Sequence, residues 1–562
     1  MGSLGTEAPA EVKLPTVKLD TTLTELYRLA SPKDAHTRLG WVSCGITSGV
    51  DFTADFPRNV KFVYEDQTFV SIPSRKLSNG NGKLKHSLAK KHLSLIPQRD
   101  AFISGTAPVI FFNLGRSPEQ VEHDRREAEA TISVLDPSQR PELVFCPGPS
   151  KIPMQEHSIN KLEYKVIFDG LEAYPLTHDL ETHWLLNSKA GLARSGLPTP
   201  SSQIIETEGY PPPPESCCVV CREPAANPSS HLPSIPRMCT GPRGEWLARE
   251  THRILAAVRA RRVPFVFKTQ QAFGGAGTWL VTTQDQKEQL LADLSGSSPT
   301  QNEVNDGKGK REEEEEEQDS GLLGKLLPLL TPSNAHLRPT TVLLTDLVSD
   351  PTGDYGLTFV VTSSESGTGS GEPLFLAAAE QMITDDGSSA WIGSRIHYGR
   401  QEELRNKFQG LVERIARWVA GHGYVGPVGA DVLCTSRSSS GGGSSRSPGG
   451  GGPGEEGDGG CYIVDLNVRT SGSVSLPLLR GHFMGKGLEC ASSFSIQVRG
   501  GRREFVEKWR GAFEEGRMLI LSWYEDLEEG ASIADVVVGA EDEERLAELM
   551  REVRLNTEEV TF

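Results

Sequence analysis

No run of apolar residues in this 562-residue chain approaches the length of a membrane-crossing helix, which sets aside an integral helical membrane protein. The N-terminal stretch carries Glu7 and Pro9 and has no apolar core, so it does not read as a secretory signal. The chain is therefore expected to be a soluble cytoplasmic protein. Basic excess is missing too: 58 Lys and Arg stand against 75 Asp and Glu, a formal charge of -17. Nucleic acid and anionic membranes need a basic footprint, so neither is expected as the main partner. Part of the acidic excess is the run Glu312 to Glu317, which reads as a solvated loop. Met1-Gly2-Ser3-Leu4-Gly5-Thr6 fits the myristoylation pattern, but no polybasic segment supplies a second membrane signal, and no stable membrane insertion is expected. Two nucleotide signatures are also absent. There is no G-x-x-x-x-G-K-[ST] loop, and no helix opens on the glycines near residue 275 as a dinucleotide fingerprint requires.

The nine cysteines form no secreted framework, being odd in number. Cys44, Cys146, Cys434, Cys461 and Cys490 are scattered, as expected of reduced thiols. Cys217, Cys218, Cys221 and Cys239 cluster, with His231 between them and prolines around them. Free thiols are the default reading here. A zinc set of Cys218, Cys221, His231 and Cys239 is the alternative, since a C-x-x-C pair, a later Cys and an intervening His could close a tetrahedral site.

The length suggests three or four domains or subdomains. Residues 1-20 read as disordered, and 21-178 as an N-terminal α/β domain. Its apolar runs are Val60 to Tyr64, Thr68 to Ile72, Pro108 to Phe112 and Glu142 to Phe145, with a helix over Pro118 to Leu135. A helix is predicted from about Asp179 to Ser195, capped by Asp179 and stopped by Gly196 and Pro198. A second runs over Trp246 to Arg262 and leads into the strand Pro264 to Lys268. Residues 295-332 and 435-460 are low-complexity insertions, apart from an apolar patch at Leu322 to Leu330. Strand signals recur at Thr341 to Val348, Gly356 to Thr362 and Val428 to Leu433. Between the last two, Leu404, Phe408, Leu411, Val412, Ile415 and Val419 mark an amphipathic helix. Residues 501-562 read as a C-terminal α/β extension.

The most informative stretch is Tyr462 to Arg469. Read as a regular strand, it puts Asp465, Asn467 and Arg469 on one face, with Tyr462, Val464, Leu466 and Val468 on the other. Buried charges need partners. An Asp–Arg ion pair is one reading, and a divalent cation with a phosphate-like anion is the other. If the glycine-rich insertion before it is a hairpin tip, Asp431 and Asp465 stand on adjacent strands, and two carboxylates and an amide converge. On the phosphate side, Lys268 ends an apolar strand. The loop Gly274-Gly275-Ala276-Gly277-Thr278 follows, and then a second strand. Glycines let backbone N–H groups approach an anion and the lysine adds a point charge, although a glycine hairpin beside a snorkelling lysine has the same pattern. Taken together, these are the parts of a nucleotide–magnesium site.

On these segments the chain resembles the ATP-grasp superfamily, and most of all a group of fungal ATP-grasp proteins. The matching stretches lie over about residues 180-500. They are Asn187 to Leu192 with Gly196 to Pro200, Pro264 to Lys268 with Gly274 to Thr278, Leu343 to Val348, Gly429 to Val432, and Asp465 to Arg469 with Ser471 to Ser473. The resemblance implies an α+β fold in which two α+β subdomains, over residues 179-500, sandwich ATP. It further implies that Lys189 and Lys268 meet the phosphates and that Gly274, Gly275, Ala276 and Gly277 fold over them. Thr345, Asp346, Leu347 and Val348 would bond adenine through their backbone, and Asp354 could reach the ribose. Asp431, Asp465 and Asn467 would hold Mg2+ or Mn2+, with Arg469 beside the transferred phosphate and Lys268 also catalytic. Asp stands at 431 and 465 where family members usually carry Glu. The implied activity is an ATP-dependent ligase that makes an acyl phosphate from a small carboxylate and couples it to an amine, in specialised fungal metabolism. The alternatives are a kinase for a small-molecule hydroxyl and a non-catalytic nucleotide-binding protein. Gln381, Trp391, Arg395, His397 and Arg400 could stand on the substrate side.

Overall fold

The computed structural model describes residues 12–45, 48–49, 51–65, 81–114, 117–222, 233–272, 276–296, 321–364, 371–383, 391–436, 460–527, 530–555 and 557–559. The fold is mixed α/β, built on one parallel and two antiparallel sheets. Strands β1 (Leu39–Val42), β2 (Pro108–Phe112), β3 (Glu142–Cys146) and β4 (Lys161–Tyr164) form a parallel sheet in the order β3-β2-β1-β4. All five residues of β2 are buried, as a parallel strand covered on both faces requires. The helix Pro118–Ser133 returns the chain from β2 to β3. Proline occupies its first position, and the Ser117 side chain accepts from the Gln120 N–H.

Val60 to Tyr64, an apolar run in the sequence, joins no strand ladder among the described residues. The Asp169 carboxylate accepts from the backbone N–H groups of Val60, Lys61 and Phe62 at 2.6, 2.8 and 3.2 Å, so a side chain takes the donors a neighbouring strand would have used. The run Thr68 to Ile72 lies outside the described residues.

A small antiparallel sheet, in the order β5-β8-β6-β7, joins β5 (Ser202–Ile205), β6 (Phe265–Thr269), β7 (Thr278–Val281) and β8 (Val342–Asp346). Phe265 and Phe267 are fully buried beneath it. Leu322, Leu323, Leu326 and Leu327 join the same core, so the apolar patch inside the sequence's insertion is a piece of this subdomain.

The third sheet has nine strands, with the path β13-β12-β9-β10-β11-β14-β16-β15 and β17 beside β14. Its members are β9 (Pro351–Val361), β10 (Leu374–Ile383), β11 (Trp391–His397), β12 (Gly426–Thr435), β13 (Cys461–Asn467), β14 (Cys490–Arg499), β15 (Met518–Asp526), β16 (Ala531–Ala540) and β17 (Glu558–Glu559). The strands beyond residue 501 thus extend the sheet that carries Asp431 and Asp465. The helix Gln401–Gly421 packs on this sheet through Leu404, Phe408, Leu411, Val412, Ile415 and Val419, the stripe its periodicity marks.

Two expectations need correction. The helix over Asp179 to Ser195 is two helices, Leu180–Leu186 and Lys189–Arg194, because Ser188 caps the second one and turns the chain between them. Cys434 and Cys461 are not free thiols. Pairing of β12 with β13 sets them directly opposite, Cα atoms 4.1 Å apart, and they form a disulfide at the end of the strand pair next to the connecting segment. Among the described residues, no helix is long and apolar enough to cross a membrane.

Candidate active site

The register of β12 against β13 brings Asp431 directly opposite Asp465. It then shifts by one residue, so that Val432 pairs with Ile463 and Val464 is left over as a bulge. The bulge breaks the alternation expected for Tyr462 to Arg469. Ile463, Leu466 and Val468 enter the core, while Val464 stays half-buried and turns its carbonyl toward the opposite sheet. The strand ends at Asn467, and Arg469 lies in the bend beyond it.

Lys268, on β6 of the small sheet, donates to the Val464 carbonyl at 2.7 Å. Lys189, at the start of its short helix, makes an ion pair with Asp465. The helix corner is locked to β6 by Gln270. Its side-chain oxygen accepts from the Ala190 N–H at 3.2 Å, and its backbone carbonyl accepts from the Lys189 N–H at 3.2 Å. Asn187 ties the same corner to the end of β13, its Oδ1 accepting from the Val468 N–H at 2.9 Å and from Arg469 at 2.7 Å. Both lysines, both aspartates, Asn467 and Arg469 therefore meet between the small sheet and the edge of the large one.

The charges answer one another. Burial works to raise the Asp465 pKa, but Lys189 and Lys268 outweigh it and hold the carboxyl below its usual range. Burial and the charge of Asp465 push Asp431 up instead. Burial, reinforced by the neighbouring Lys189 cation, lowers Lys268 to about 8.

Asp431 has its own support. Gln381 Nε2 on β10 donates to Asp431 Oδ1 at 2.9 Å, reaching across β9 at Gly356. A Cβ at Gly356 would lie 2.4 Å from that amide nitrogen, so only glycine lets the contact form. Gln381 is itself fixed: Trp391 Nε1 and Ser394 Oγ both donate to its Oε1, at 2.6 and 3.0 Å. Asn467 Nδ2 approaches Asp431 Oδ2 at 3.5 Å. Two carboxylates and an amide are hard oxygen donors, the set that suits magnesium, and their mutual repulsion is what a divalent cation relieves. Asp354 stands two residues from Gly356 on β9, on the face of Asp431, and burial raises its pKa to about 6.

Phe273, Gly274 and Gly275 lie outside the described residues, so two of the expected loop glycines cannot be described. Ala276 is buried, and Gly277 has φ +74°, with its carbonyl accepting from the Thr269 N–H at 2.9 Å. Glu65 is wholly buried under this turn with Thr269 as its polar neighbour, and burial raises its pKa to about 8.

In the hinge between the sheets, Thr345 bonds Ser202 at 2.9 Å and Asp346 pairs with Arg261 at the surface. Leu347 and Val348 then leave β8, half-buried. Of the substrate-side candidates, Gln381 and Trp391 reach the site. Arg395 and Arg400 do not, because Glu380, on the opposite face of β10 from Gln381, pairs with both at 2.6 and 3.4 Å. The His397 ring only caps the turn at Gly399.

Beyond Arg469 lies a group that no local pattern marked. Lys165 pairs with Asp100 at 3.0 Å inside the N-terminal domain, and Thr470 donates to the same carboxylate at 2.9 Å. Arg99 approaches Asp535 at 3.7 Å, its buried Nε has no acceptor among the described residues, and its guanidinium lies near Gly472.

No protein-family model matches the chain, and no curated protein matches it. Among solved structures the chain is similar to N5-carboxyaminoimidazole synthase from Aspergillus clavatus in complex with ADP and 5-aminoimidazole ribonucleotide. That likeness has 9% identity and TM-score 0.40, and covers 92% of this chain and 98% of the other. It is similar also to L-amino acid ligase from Bacillus licheniformis (10% identity, TM-score 0.40, covering 94% and 99%). Phosphoribosylamine–glycine ligase from Thermotoga maritima is a third (12% identity, TM-score 0.41, covering 83% and 96%). At such scores these likenesses carry no argument about what this chain binds or does, and its chemistry is read from its own side chains.

Proposed function

We propose that this chain is an ATP-grasp enzyme that uses ATP to activate a small carboxylate and couples it to an amine. The observation that carries the reading is the facing pair Asp431 and Asp465, met across the cleft by Lys189 and Lys268. The motif resemblance runs through the same residues. Asp431, Asp465 and Asn467 would hold magnesium or manganese, which when bound neutralises the β and γ oxygens of the nucleotide. Lys189 exchanges Asp465 for a phosphate oxygen, and Lys268, close by, meets the same phosphates. Gly274, Gly275, Ala276 and Gly277 would fold over them, Thr345 to Val348 would receive the adenine, and Asp354 would receive the ribose.

In the first step a carboxylate oxygen of the substrate attacks the γ-phosphorus, the bond to the β-phosphate oxygen breaks, and ADP leaves an acyl phosphate. In the second the amine nitrogen attacks the acyl carbon, phosphate departs, the amide forms and the nitrogen loses a proton. Arg469, held by Asn187, stabilises the oxyanion that develops between these events. An acid substrate is favoured by Arg99, whose buried Nε–H, near Gly472, has no acceptor among the described residues.

The test is ADP release with pooled carboxylic acids and amines, for the wild-type chain and Asp465→Ala. The expected outcome is release that needs both an acid and magnesium in the wild type, and background release in the variant. ATP binding with no stimulation by any acid would end the ligase reading, and stimulation by hydroxyl compounds alone would replace it with a kinase.

A further inference from the structure

Outside the cleft, the densest cluster of metal-ligating side chains is made of cysteines. The Sγ atoms of Cys217, Cys218 and Cys221 stand 3.5, 3.7 and 3.3 Å from that of Cys239, and all four sulfurs lie within 4.8 Å of one another. We propose that Cys217, Cys218, Cys221 and Cys239 bind one structural zinc ion. A zinc–sulfur bond of about 2.3 Å in a tetrahedron sets its sulfurs roughly 3.8 Å apart, close to the spacings found here. A disulfide needs sulfurs about 2.05 Å apart, and none of these three pairs is near that. The fourth sulfur at this centre is that of Cys217, adjacent to Cys218; His231 lies outside the described residues.

The surroundings suit a doubly negative tetrathiolate. The helix Pro242–Ala260 begins just after Cys239 and points its positive end at the cluster. Backbone N–H groups of Arg243 and Cys218 approach the Cys217 sulfur, and that of Cys221 approaches Cys218. The Arg222 side chain donates to the Cys217 carbonyl at 2.8 Å, which closes the knuckle. Two glycines make the turn small enough. A Cβ at Gly241 would lie 2.9 Å from the Cys217 sulfur, and one at Gly244 would lie 2.0 Å from the Cys239 carbonyl oxygen. Cys217, Cys221 and Cys239 are buried, so the site is closed and leaves no open position for catalysis.

The same three cysteines belong to the apolar core that contains Phe265 and Phe267 of β6. Between β5 and the helix Pro242–Ala260, the described chain holds only the turn Pro214–Ser216 and the one-turn helix Val219–Arg222. The ion supplies the cross-link that secondary structure does not, and it braces the sheet from which Lys268 projects. Binding releases to solvent the protons still carried by the four thiols.

Zinc binding at this knuckle does not depend on whether the chain turns over ATP. The test is metal analysis of the full-length protein purified without an immobilised-metal step. One zinc per chain is expected in the wild type, and background in Cys221→Ser and Cys239→Ser, while Cys44→Ser and Cys490→Ser retain the ion. Should the ligand variants fail to fold, cobalt exchanged into the wild type must give the visible bands of a tetrahedral thiolate complex. Wild-type protein with no zinc, with iron in its place, or with a disulfide among these cysteines by mass spectrometry overturns the proposal.

Discussion

The carboxylate cleft and the cysteine knuckle both gather groups that repel one another when ionised, and they resolve the conflict in opposite ways. In the cleft the chain provides its own counter-ions: Lys189 pairs with Asp465, and Lys268 stands close enough to help hold that carboxyl below its usual range. Such a site can exist without a ligand and can trade those partners for one. In the knuckle backbone donors and a helix end face the four sulfurs, and the remaining charge is left to the proposed metal. A site meant to exchange its contents keeps internal substitutes, whereas a site meant to hold one ion permanently does not.

The comparison is sharpened first at Gly356. Gly356→Ala places a methyl where the Gln381 amide crosses to Asp431. Losing a hydrogen bond that orients a metal ligand costs about 10- to 100-fold in metal affinity. The expected outcome is that loss in magnesium dependence of ATP binding, with zinc content unchanged. A variant that binds magnesium and ATP like the wild type would show that Gln381 does not orient Asp431.

A smaller effect is expected at Glu65, a buried carboxyl whose pKa burial raises. Its folded pKa, about 8, lies above its ordinary value, so across that interval the folded chain keeps a proton that the unfolded chain has released. Stability therefore falls as pH rises through this window and levels off above it. Glu65→Gln removes the titration, and its melting temperature should exceed the wild-type value by a margin that grows from roughly pH 5 to about pH 8. A margin constant with pH would mean that Glu65 is charged or exposed in the folded protein.

Much of this was legible in local sequence. The stripe from Leu404 to Val419 marks its helix, and an insertion between two strand signals is enough to set Asp431 beside Asp465. What escaped the sequence depends on contacts between distant residues or on small departures from regularity. Gln381 reaches Asp431 across an intervening strand, and Asn187 holds Arg469 from 282 residues away; neither contact leaves a periodic trace. The bulge at Val464 changed which residues face the core, because alternation alone assumes an unbroken ladder. In the cysteine segment, spacing leaves free thiols as the default and a set with His231 as the alternative. Only the folded turn brings adjacent Cys217 and Cys218 to the same centre. The Cys434–Cys461 bond became visible only through strand register.

The central claim is that Asp431 and Asp465 make ATP binding depend on a divalent cation. Equilibrium titration of ATP into the wild-type chain and into the Asp431→Asn, Asp465→Asn double variant, each with and without magnesium, tests it directly. The account predicts one ATP per chain, strongly favoured by magnesium in the wild type, and no magnesium dependence in a folded double variant. Wild-type binding that is indifferent to magnesium, or absent altogether, contradicts it.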